Sequence, residues 1–214
     1  METALILTNT DLTPAAEWLN SVFHGFDYAL LSFYHHLAEV CGWLFSPVLY
    51  VITLTGWKGA FLILASIAMI IFRKTRKTGL CALFAIGFGA VLTNLLIKNT
   101  VARPRPYAFD AEFYQWWEFV GSHMESEYSF PSGHTTVAAA FSTAFVYVNG
   151  KKWLPWAILY VVLMGISRNY FMVHYPSDVL GGAVMGVLGG VLSCLMFRYI
   201  YQCWGNSNFL KEAA

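Results

Sequence analysis

Pro131-Ser132-Gly133-His134 opens an apolar run that ends near Val148. Upstream stands Lys98, then six residues, then Arg105-Pro106; downstream stands Ser167-Arg168, then five residues, His174, three more, and Asp178. Each of these polar clusters abuts a long greasy segment. The chain is therefore read as a set of membrane-crossing helices that gather their few ionisable groups at one edge of a bilayer.

Composition supports that reading. Of 214 residues, 57% are hydrophobic and 12% are charged, whereas a soluble domain carries about 25% charged residues. The length accommodates one domain of about six spans with short loops. The expected fold class is all-α, a polytopic six-transmembrane-helix bundle with an N-terminal interfacial helix. The spans are placed at 37–57, 59–72, 79–98, 131–148, 153–169 and 177–201, within a domain of residues 37–203, followed by a cytoplasmic tail at 204–214. Pro47 is tolerated as a kink. Lys58 and Arg73 can snorkel from the ends of the short second span.

Residues 1–36 contain no Lys or Arg. Met1-Glu2-Thr3-Ala4 lacks the basic start of a secretory signal, so this end is expected to be retained. Thr13-Pro14 reads as the N-cap and first residue of a helix with Glu17 in its first turn. Trp18, Leu19, Val22, Phe23 and Phe26 alternate there with polar residues, the pattern of a helix lying in the interface. His24, His35 and His36 read as surface or interfacial groups. Cys41, Cys81, Cys194 and Cys203 show no C-x-x-C spacing and read as small buried hydrophobes.

Basic residues orient the spans. Arg73, Lys74, Arg76, Lys77, Lys151, Lys152, Arg198 and Lys211 fall on one side of a six-span layout, which is expected to be cytoplasmic. Lys58, Lys98, Arg103, Arg105 and Arg168 fall on the other, so the motif side is expected to face outward. The loop 99–130 carries Asp110, Glu112, Glu118, Glu125 and Glu127 together with Tyr114, Trp116 and Trp117. The Trp pair is assigned to the aromatic belt at headgroup level. Gly181, Gly182, Gly186, Gly189 and Gly190 predict close helix packing in the last span.

Ionised groups at bilayer depth each cost on the order of 2.5–3.5 kcal/mol by insertion scales, so they line a wet cavity and pair with something. Lys98, Arg105 and Arg168 form a cationic set, and Asp178 is the acid inside the motifs. That leaves room for an anion, with Arg forks suited to phosphate. Ser132 and Gly133 at the start of a helix form an anion cradle: backbone N–H groups point outward there, and the Ser132 hydroxyl can donate one more bond. His174 and Asp178, four apart, share a face; the carboxylate fixes the imidazole tautomer and makes its other nitrogen a nucleophile. His134 can approach from another span as a proton donor.

Taken together, K-x6-R-P, P-S-G-H and S-R-x5-H-x3-D, separated by 24 and 32 residues, resemble the signature of the type 2 phosphatidic acid phosphatase superfamily. The resemblance implies a helical-bundle lipid phosphatase or diphosphatase working through a phosphohistidine. By it His174 is the nucleophile, Asp178 its orienter and His134 the acid. Lys98, Arg105 and Arg168 clamp the phosphoryl group, assisted by Ser132, Gly133 and Ser167. The six-residue spacing from Lys98 selects Arg105 over Arg103, and Asn94 lies one turn before Lys98. Candidate substrates are undecaprenyl diphosphate, phosphatidylglycerophosphate and phosphatidate. Neither cofactor nor metal is expected, since no carboxylate cluster suits Mg²⁺. The partners expected are a lipid phosphate and the cell membrane, with no nucleic acid and no obligate protein. A phosphotransferase of the same architecture and a non-catalytic anion binder or transporter are the competing readings; apolar spans argue against the soluble haloperoxidase branch.

Overall fold

The computed structural model describes residues 12–204, and all of its regular structure is helical. Expectations about the first residues, the 204–214 tail, Lys211 and the Cys203 side chain lie outside the described residues. Helix α1 (Pro14–Gly56) is capped as expected: the Thr13 side chain accepts from the Ala16 N–H at 3.2 Å and Pro14 occupies the first turn. Its 43 residues form two helical segments joined across a kink at Cys41 (φ −130°, ψ 21°), a few residues beyond the expected boundary at residue 36. A periodic stripe fixes the first segment: Ala16, Leu19, Asp27, Leu31 and Ala38 are buried against the rest of the chain.

A turn at Trp57–Gly59 leads to α2 (Ala60–Ile71). Helix α3 (Arg76–Ala90) continues through a π-helical stretch (Val91–Ile97) into α4 (Lys98–Val101), and left-handed Ala102 (φ 47°) ends the run. Two short helices follow, α5 (Pro106–Phe109) and α6 (Ala111–Phe119), the second capped by Asp110, which accepts from the Glu112 N–H at 2.7 Å. Then come α7 (Gly133–Asn149), α8 (Leu154–Tyr170) and α9 (Pro176–Trp204).

Among the described residues, three stretches are long and apolar enough to cross a membrane: Pro14–Ile71, Arg76–Phe109 and Pro176–Ile200. The first, of 58 residues, far exceeds the roughly 20 that one crossing needs and is folded at Trp57–Gly59. Large apolar side chains face outward around the molecule, among them Trp43, Leu64, Leu95, Trp156 and Leu195; such a surface belongs in hydrocarbon.

Helices α3, α7 and α9 form the inner bundle. Their seam is made by small residues, as the glycine pattern of α9 predicts: a Cβ on Gly186 would lie 2.3 Å from the Thr136 carbonyl oxygen, and one on Gly189 2.6 Å from the Gly89 nitrogen. No larger residue fits, and dispersion contacts replace side chains. Cys81 and Cys194 sit in this seam as free thiols. At the other end α6 folds back under α1. Trp116 and Trp117 are there buried at 8% and 6% exposure, with Trp116 stacked on His35 at 4.8 Å and Trp117 on Tyr107 at 4.6 Å. They are core residues of a cap over the bundle and not members of an exposed belt.

Candidate active site

The three motif segments converge. Lys98 opens α4, Arg105 precedes α5, His134 is in the first turn of α7, Arg168 is in the last turn of α8, His174 lies in the turn before α9, and Asp178 is in the first turn of α9. All are at most 9% exposed. Proline sets several of these positions. Pro106 and Pro176 start their helices, where a missing N–H removes nothing from the hydrogen-bond ladder.

His174 is the centre. Its Nε2 lies 3.3 Å from Arg105 Nη1, and its Nδ1 faces Asp178 Oδ2 at 3.6 Å. The second distance is an electrostatic contact, longer than a hydrogen bond. Burial first, then the neighbouring Arg105 and Arg168 guanidiniums, hold the His174 imidazole well below its usual range, so it is neutral at pH 7 and keeps a lone pair. Arg105 is itself fixed by carbonyls: Nη1 donates to Val173 at 2.6 Å and Nε to Glu127 at 2.7 Å. Arg168 donates from Nη1 to Thr53 Oγ1 at 2.5 Å, while its buried Nε has no partner. A Cβ on Gly133 would stand 3.9 Å from Lys98 Nζ, so the start of α7, whose first N–H groups have no acceptor within the helix, opens toward that cation. Backbone N–H groups, two guanidiniums and one ammonium thus converge, a set that can hold an anion.

Two of the expected assisting residues also make local bonds. Ser132 is fully buried and caps α7, its Oγ accepting from the Thr135 hydroxyl at 3.1 Å. Ser167 is also fully buried and donates back to the Met164 carbonyl at 2.7 Å. Both hydroxyls serve their own helices, the ordinary use of a serine that a packed helix encloses. Asn94 lines the same cavity as Lys98 and Arg105.

Asp178 is held more firmly than its spacing from His174 suggests. Its Oδ1 accepts from Arg103 Nη1 at 2.7 Å; its Oδ2 accepts from the Ser129 hydroxyl and from the Tyr175 N–H at 2.8 Å. Arg103 also donates to Asp27 Oδ2 at 2.8 Å, to Ser177 Oγ at 2.7 Å and to Asn20 Oδ1 at 2.8 Å, with Tyr175 stacked on it at 3.8 Å. Asp27 in turn accepts from the Ser177 N–H at 2.8 Å. The cations, expected to lack carboxylates, have two more: Glu125 pairs with Arg168 and Glu127 with Lys98. Lys98 first holds the Glu127 carboxyl below its usual range. The sequence carried one signal for this, the acidic content of loop 99–130.

Two openings reach the cluster. A 370 Å³ cavity is lined by Tyr50, Trp57, Glu125, His134 and Arg168, and a 570 Å³ cavity by Asn94, Lys98, Arg105 and Glu127. An imidazole, a cationic cradle and a second imidazole at a bilayer edge can together bind, attack and protonate a phosphate ester.

The family model for the PAP2 superfamily matches residues 78–202. The chain belongs to the PAP2 superfamily. This PAP2 protein is 29% identical to the transmembrane PAP2-type phosphatidylglycerolphosphate phosphatase of Bacillus subtilis, whose crystal structure superposes with a TM-score of 0.65 over 87% of this chain and 92% of that one. It is 35% identical to a lipid A 1-phosphatase of Rhizobium johnstonii over 53% of this chain and 46% of the relative. It is 30% identical to an undecaprenyl-diphosphatase of Sulfolobus acidocaldarius over 55% of this chain and 54% of the relative. The chain thus spans about half the length of these two curated relatives. The fold and the relatives make the PAP2 protein a membrane protein.

Proposed function

We propose that this protein is a lipid phosphatase that removes a terminal phosphate from a phosphate or diphosphate lipid through a phosphohistidine. The observation that carries the reading is the buried, neutral His174, with Nε2 beside Arg105 and Nδ1 facing an anchored Asp178. Nε2 attacks phosphorus while the bond from phosphorus to the lipid oxygen breaks, and His134 gives that oxygen a proton. Asp178 stabilises the positive charge that develops on the His174 ring. Arg105, Arg168, Lys98 and the start of α7 hold the phosphoryl oxygens, where preorganised donors act most strongly. Water then attacks phosphorus, His134 takes its proton, and the nitrogen–phosphorus bond breaks.

Relatives named for lipid A, undecaprenyl diphosphate and phosphatidylglycerolphosphate share a terminal phosphate on a lipid, and that shared chemistry is the substrate class. On this reading the chain crosses the cell membrane six times and its site faces the outer side. Supporting this layout, Asn149 Nδ2 donates to Thr78 Oγ1 at 3.1 Å, so the basic turns before α3 and before α8 share one end of the bundle, opposite the motifs. Excess Lys and Arg marks the cytoplasmic side.

The test is release of free phosphate by the purified protein in mixed micelles with chelator. The panel is undecaprenyl diphosphate, phosphatidylglycerophosphate and phosphatidate, with His174→Ala as control. Release that survives His174→Ala would remove the nucleophile assignment. Lipid phosphate lost without free phosphate would point to transfer to another acceptor.

A further inference from the structure

Loop 121–132 places two carboxylates where the cations face the openings. Glu125 pairs with Arg168 and Glu127 with Lys98. The Glu127 backbone carbonyl also accepts from Arg105 Nε at 2.7 Å, so one short segment engages all three cations. The exposures are unequal. The cationic side chains of Lys98 and Arg168 are 7% and 4% exposed, while those of Glu127 and Glu125 are 58% and 28% exposed. The cations are walled in and the acids stand on the wet side. Glu125 lines both cavities, so the loop lies between them.

Charge decides what can replace these acids. Lys98, Arg105 and Arg168 supply three positive charges, and Glu125 and Glu127 return two negative ones. A terminal phosphate carries about −1.5 to −2 at pH 7 and can substitute for both carboxylates without leaving the cations under-neutralised. A phosphodiester carries a single negative charge and replaces only one carboxylate, leaving the second pair to be broken without compensation. An anion site at a membrane surface faces phosphodiester headgroups at high local concentration, so this difference has a use.

We propose that Glu125 and Glu127 are specificity-determining residues: they occupy the cation site against phosphodiester headgroups and yield it to a dianionic terminal phosphate. The proposal rests on the phosphatase reading for the identity of the site. It assigns the two acids no part in bond making. They act by competition, and removing them opens the site to weaker anions.

The experiment compares wild type with the double variant Glu125→Gln, Glu127→Gln, each as the full chain in neutral detergent micelles. Glutamine keeps the shape, both side chains are partly exposed, and circular dichroism with thermal melting checks the fold. Calorimetry first measures binding of inorganic phosphate. The variant is expected to bind it at least about fivefold tighter, the effect of removing two weak competing ion pairs. Dioctanoyl phosphatidylglycerol is then titrated as an inhibitor of dioctanoyl phosphatidate hydrolysis and as a competitor of phosphate binding. Its apparent Ki is expected to fall at least about tenfold in the variant. Phosphate affinity that is unchanged or weaker in the variant would overturn the proposal, because the acids would then be rim charges or supports for the cations. Diester inhibition equal in both proteins would do the same. A wild type that hydrolyses no lipid phosphate, beside a variant that binds phosphate tighter and admits the diester, would sink the phosphatase reading and uphold the competition.

Discussion

Arg103 and Arg105 stand two residues apart in Arg103-Pro104-Arg105-Pro106, and the regions around them on either side of Asp178 are opposites. On the Arg103 side every contact is fixed: two buried carboxylates, a serine, an asparagine and a stacked tyrosine enclose a guanidinium that is 1% exposed. On the Arg105 side the guanidinium is fixed by carbonyls, and the neighbouring cations hold carboxylates that reach solvent. The first region is a buried ion network that holds Asp178 in place. The second has partners that can be exchanged for a ligand. Identical residue types with identical proline neighbours thus divide into scaffold and site according to whether their partners can leave.

The widest separation between the two regions should appear on removing the nucleophile. His174→Ala is expected to lower kcat by about 10³-fold or more, the scale for residues that act as a catalytic unit, with little change in thermal midpoint. Acid-labile, base-stable labelling of the protein by a radioactive lipid phosphate should vanish with it; labelling that persists would place the phosphoryl group elsewhere. Arg105→Ala should cost about 10²–10³-fold in kcat/KM, as loss of a donor to the transferring group does, and leave the melting curve near that of wild type.

Arg103→Ala should behave in reverse. It strands Asp27 and Asp178 as buried carboxylates without their cation, so a loss of about 3–5 kcal/mol is expected, visible as a lower melting temperature. An Arg103→Ala protein that melts like wild type would erase the distinction. A subtler contrast lies in pH. Because the folded environment depresses the His174 pKa, the nucleophile stays unprotonated as pH falls through the ordinary histidine range. The acid limb of kcat/KM should then lie below pH 6.5, the unperturbed value; a limb centred at or above it would mean that another group governs activity. Smallest of all, Ser167→Ala should leave KM within about twofold, since its hydroxyl bonds only its own helix.

Much of this was legible in the sequence because it depends on local spacing. Four residues from His174 to Asp178 place both in one turn, glycines in α9 predict the tight seam, and Thr13-Pro14 marks the start of α1. What the sequence concealed depends on pairs far apart. Asp27 meets Arg103 across 76 positions and Ser177 across 150, and no periodicity links them. Glu125 and Glu127 stand in the sequence as two of five loop acids with nothing to single them out, because their partners come from α8 and α4. Trp116 and Trp117 read as a belt because burial under α1 is a tertiary fact. Ser132 and Ser167 also make hydrogen bonds within or at the start of their own helices, which their motif positions do not announce.

The link from Asp27 to Ser177 also has a consequence for how the protein is made. Ser177 leaves the ribosome 150 residues after Asp27, which at about 5–20 residues per second is roughly eight to thirty seconds. Throughout that interval the first helix carries a carboxylate whose final neighbours do not yet exist. The nascent chain must keep it hydrated or protonated until the last helix arrives. Closure of the network is thus a late assembly event, and a truncated chain that ends before Ser177 would present an unsatisfied acid to the quality-control machinery of the membrane.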